Sequence, residues 1–90
     1  MMTIDELIVG IHDLENYLKK FEEKYHLRSE DFYRLAMAGK LEHSNDFIEW
    51  LGIYEIKLDR EQKYQQRFGE MLAKQRSNEL HLPLSEPQPL

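Results

Sequence analysis

Ninety residues carry 12 Lys/Arg against 17 Asp/Glu, giving a net charge of −5 and a pI near 5.3. A chain this short forms one small domain with a modest core and gains stability from oligomerising. Its acidic balance speaks against nucleic-acid or membrane-surface binding and suits a basic protein partner, while the lack of cysteine excludes disulfides, thiolate catalysis and Cys-based zinc sites.

The first predicted element runs from about Ile4 to Tyr25. Ile4, Leu7, Ile11, Leu14, Leu18, Phe21 and Tyr25 form an unbroken heptad stripe along it. Thr3 with Glu6 three residues on makes a capping box, and Asp5 and Glu6 suit the positive end of the helix dipole. Gly10 lies inside the helix, where it costs up to about 1 kcal/mol relative to Ala; close approach of another helix is the usual reason. His26 falls at the position where a left-handed residue would end the helix.

A short second helix is expected from Ser29, read as its N-cap ahead of Glu30 and Asp31. Phe32, Leu35 and Ala36 form its apolar face, and Gly39 is a suitable residue just beyond its end. A polar loop follows to Asn45, with Ser44 or Asn45 capping a third helix.

The third helix is expected from about Asp46 to Arg76. Phe47, Trp50, Leu51, Tyr54 and Leu58 give it a dense apolar face at the start. Lys57 and Glu61 interrupt the stripe, which resumes at Tyr64, Phe68, Met71 and Leu72. This helix exceeds the first by roughly 10 residues, which predicts an overhang of about 15 Å. Apolar residues on an overhang lack an intramolecular partner, so Tyr64, Phe68, Met71 and Leu72, with Arg60 and Arg67, are candidate interface residues.

Pro83, Pro87 and Pro89 prevent a continuous helix beyond Ser77. Leu80, Leu82 and Leu84 alternate with His81 and Pro83, spacing that suits an extended segment ordered on a partner's surface. The expected organisation is a single helical domain over 1–77 and a flexible or partner-ordered tail over 78–90. The expected fold is all-α: two long antiparallel helices in a hairpin like a coiled coil, linked through a short helix, with an extended C-terminal tail. Its expected core is Leu14, Leu18, Phe21, Phe32, Phe47, Trp50 and Tyr54.

Charge is segregated. Residues 1–55 hold 6 Lys/Arg and 12 Asp/Glu, whereas residues 56–77 hold 6 and 3. Lys57, Arg60, Lys63, Arg67 and Lys74 make a basic stripe on the third helix, best read as a solvated, salt-bridged face. His12, His26, His43 and His81 lie on different elements at no ligand spacing, so no metal is expected. Asp46 and Glu49 beside Trp50 are the nearest approach to an acid–base pair, and the helix dipole explains Asp46 better. No phosphate loop or nucleophile motif is present, so no catalytic residue and no cofactor is expected. Apolar runs are short and the N-terminus lacks the pattern of a signal peptide; no membrane association and a cytoplasmic location are expected.

The stretch Phe21-Glu-Glu-Lys-Tyr-His-Leu-Arg-Ser29, then Asp31-Phe-Tyr33, Ala38-Gly-Lys-Leu41 and Asp46-Phe-Ile-Glu-Trp50 with Tyr54-Glu55, resembles small all-helical prokaryotic proteins encoded beside putative toxins. The likeness covers about Leu18 to Glu55. His26 and Arg28 depart from the pattern, where Gly and Ser would be expected. The resemblance implies an antitoxin-like protein that dimerises and holds a basic toxin. The expected function is therefore a non-enzymatic, homodimeric protein-binding module. The alternatives are a homo-oligomeric scaffold without a toxin and a nucleic-acid accessory protein using the basic stripe.

Overall fold

A computed structural model describes residues 2–76, with side chains through Lys74. Its three helices are α1 (Ile4–Tyr25), α2 (Ser29–Met37) and α3 (Asn45–Arg76). The expected tail and its Leu80, Leu82 and Leu84 lie outside the described residues. Among the described residues no helix is long and apolar enough to cross a membrane.

The helix ends follow local chemistry. Thr3 Oγ1 accepts from the Glu6 N–H and the Glu6 carboxylate accepts from the Thr3 N–H, both at 3.1 Å, so the capping box is complete. His26 stops α1 in the left-handed region at φ 53°, and the Leu27 N–H donates to the Glu22 carbonyl at 3.2 Å. Gly39 does the same for α2 at φ 68°, with the Lys40 N–H donating to the Leu35 carbonyl at 3.0 Å. Ser44 caps α3, its Oγ accepting from the Phe47 N–H at 3.1 Å. The expected cap of α2 is corrected: Arg28 occupies the extended cap position, and Ser29 is the first helical residue, turned inward.

The two long helices run antiparallel. Lys24 and Tyr25 at the end of α1 both donate to Asp46 at the start of α3. Glu15, midway along α1, faces Lys57. Ile4, at its start, lines the same crevice as Met71 and Lys74. α2 packs against both long helices over the first half of the hairpin.

Leu18, Phe21, Phe32, Trp50 and Tyr54 form the buried cluster, drawing on all three helices. Trp50 is 0% exposed. Its ring lies nearly parallel to Phe32, at 3.9 Å between centroids and 6°, and to Phe21, at 5.5 Å and 11°. Phe47 is half-buried against this cluster, as is Leu41 from the loop expected to be polar. Leu14 is half-buried and stands outside the cluster; Leu7, further along the same stripe, is 1% exposed.

The expected overhang is also corrected. With Ile4 level with Met71, little more than the last turn of α3 extends beyond α1. Side chains lean toward the N-terminus of their own helix, so in an antiparallel pair the leans oppose and Ile4 reaches a residue set further along α3. Lys57, expected on a solvated face, is likewise turned inward. The Lys57 side chain is only 12% exposed and lies between the helices, with Nζ 3.9 Å from Glu15 and 4.0 Å from Glu61. It also lies 5.7 Å from the Tyr54 ring centroid. Leu58, expected on the apolar face, is instead exposed.

Candidate protein-binding surface

Because α2 is short, the hairpin is a three-helix structure over one half and a two-helix layer over the other. A single helix cannot bury the full apolar stripe of its neighbour, so side chains flanking the α1–α3 seam stay partly open. Beyond α2 this leaves a trough of about 380 Å³ lined by Ile8, Ile11, His12, Glu15, Glu61, Tyr64 and Gln65. Ile8 and Ile11, three apart on α1, form one wall, and Ile8 is 37% exposed. Tyr64 forms the other, its ring stacked on Phe68 one turn on, at 6.1 Å between centroids and 8°. Glu15 and Glu61 supply an acidic rim. Both lie near Lys57 at distances beyond direct hydrogen bonding.

The candidate interface residues do not form one patch. Tyr64 lies in the trough with Phe68 beside it. Arg67 and Met71 line a separate, smaller crevice beside Ile4. Leu72 is half-buried in the following turn. Arg60 pairs with Asp59 at 2.6 Å, and Arg67 with Glu70 at 3.3 Å. Leu80, Leu82 and Leu84 lie outside the described residues. Ile8 was missed because it stands one residue off the heptad stripe; only its i, i+3 relation to Ile11 could have placed it on the shoulder of that stripe.

The basic stripe is largely neutralised within its own helix. Lys57 points inward, while Arg60 and Lys63 converge on Asp59 at 2.6 and 3.0 Å. The hydrogen bond from Lys63, with help from Arg60, holds the Asp59 carboxyl below its usual range. A further crevice of about 480 Å³ lies where α1 approaches Arg28 and Glu30, and Glu22 and Glu30 in its wall are engaged structurally. Glu22 accepts from the Ser29 N–H at 2.8 Å, and Glu30 faces Arg28 Nε at 3.3 Å in an ion pair that lacks hydrogen-bond geometry.

The two carboxylates beside Trp50 are also taken up by the fold. Asp46 accepts from Lys24 and Tyr25, the Lys24 bond being the larger cause of its lowered carboxyl pKa. A general acid needs the opposite shift. Glu49 accepts from the Tyr17 hydroxyl, whose ionisation this hydrogen bond pushes up. Among the described residues, no group of three His, Asp or Glu side chains is placed to hold a metal ion. No family model matches the chain, and no curated protein or solved structure does either.

Proposed function

We propose that this chain is a non-enzymatic protein-binding module that self-associates and holds a basic partner protein in the manner of an antitoxin. The observation that carries this reading is the open trough over the two-helix half of the hairpin, apolar at Ile8, Ile11 and Tyr64 and acidic at Glu15 and Glu61. Its position continues the layer that α2 begins, so a helix or loop from a partner would complete a three-helix cross-section there. The acidic rim and the net charge of −5 favour a basic surface on that partner. The resemblance of Leu18–Glu55 to proteins encoded beside putative toxins supplies the antitoxin-like part of the proposal.

The test is a growth assay with the protein encoded beside this chain. Expressed alone, that neighbour should arrest growth, and co-expression of this chain should relieve the arrest. A variant carrying Ile8→Asp and Tyr64→Asp should fail to protect while keeping its helicity by circular dichroism. A neighbour without effect on growth would remove the antitoxin reading. Full protection by the double variant would remove the trough as the binding surface.

A further inference from the structure

One flank of α3, bordered by Tyr17 of α1 at one end and by Met2 and Glu6 at the other, carries apolar residues left open among the described residues. Ile56 is 45% exposed and Ile48 61%. Glu49 and Lys63, both exposed, stand seven residues to either side of Ile56, so the three share one face with a drift of about 20° per heptad. Tyr17 donates to Glu49, which fixes that carboxylate at the edge of this face. Among the described residues outside its own turn of helix, nothing lies within 4 Å of a Cβ placed at Gly52, one turn from both Glu49 and Ile56, so another helix can approach there closely.

Charge along α3 identifies the occupant. Residues 45–56 hold three acids and no base, whereas residues 57–76 hold six bases and three acids. A second α3 laid antiparallel sets each acidic half against a basic half, while a parallel one sets like on like. The sequence is thus electrostatically self-complementary under a twofold axis, the commonest symmetry of soluble oligomers. We infer that a second copy of this chain packs antiparallel on this flank of α3, beside α1, with Ile56 on the axis and Glu49 of each copy against Lys63 of the other. Lys63, already 3.0 Å from Asp59 of its own helix, then sits between two carboxylates. This assignment rests on the self-association proposed above and uses a different face from the trough, so both can be occupied at once.

The test is the solution mass of the full chain by analytical ultracentrifugation from low micromolar to millimolar concentration. Wild type should dimerise. Ile56→Asp brings two carboxylates together at the axis and should weaken the dimer by about 100-fold; the residue is exposed, so helicity should persist. Glu49→Lys and Lys63→Glu should each weaken it by about tenfold, and the two together should restore it to within about threefold of wild type. A wild-type dimer undisturbed by Ile56→Asp, or one that the double reversal leaves weak, would overturn this interface and leave self-association standing. A wild-type chain that stays monomeric throughout would overturn both, without touching partner capture in the growth assay.

Discussion

Ser29 is where a single atom matters most. Trp50 is fully buried, and its indole N–H donates to Ser29 Oγ at 2.9 Å across 21 residues of sequence. Ser29→Ala removes the acceptor and leaves a buried donor without a partner, which costs about 1–3 kcal/mol. A chemical denaturation curve on the variant should show that loss. Adding Trp50→Phe should recover part of it, because removing both partners spares the desolvation penalty. The burial of Trp50 was legible from its place in a dense apolar face. The role of Ser29 was not: a serine ahead of Glu-Asp at a helix start fits an N-cap, and nothing nearby reveals an acceptor needed by a distant indole.

At the scale of the helices, what depends on neighbours in sequence was legible. Thr3 with Glu6, His26, Ser44 and Gly39 mark their termini through interactions spanning only a few residues. What depends on the third dimension was not. The level at which α1 lies along α3, and the inward direction of Lys57, follow from side-chain lean and from the shortness of α2, which among the described residues covers only half of the hairpin. The partner trough was therefore half visible, through Tyr64 and Phe68 but not Ile8. Gly10 belongs to the same class. The expected close approach of a helix is not found among the described residues, since none outside its own turn lies within 4 Å of a Cβ placed there. Gly10→Ala should accordingly stabilise the fold by about 0.5–1 kcal/mol through helix propensity, seen as a higher midpoint in thermal melts. A lower midpoint would mean that another chain does pack on this position.

Across the whole molecule, the hairpin is closed at one end by a small polar cluster whose protonation sets its pH response. The Lys24 bond, then that from Tyr25, lowers the Asp46 pKa, so this contribution is complete above the ordinary aspartate range and fades as pH falls through the lowered value. The same carboxylate raises both Lys24 and Tyr25, whose contributions are complete below their ordinary values and fade as pH rises through the raised ones. Melting temperatures of wild type and Asp46→Asn should therefore differ by a constant amount between about pH 5 and 9 and converge below about pH 4 and above about pH 11. The effect is small and salt-sensitive because the groups are exposed to solvent. Lys57 has a different consequence, for how the two long helices find their alignment. An apolar seam tolerates sliding by a turn, since one leucine replaces another. A cation in that seam does not: one turn one way sets it against Ile11, and one turn the other way against Lys19. Opposite Glu15 alone does it meet a negative charge on α1, in addition to Glu61 of its own helix, so this side chain acts as a key that admits a single alignment of the hairpin.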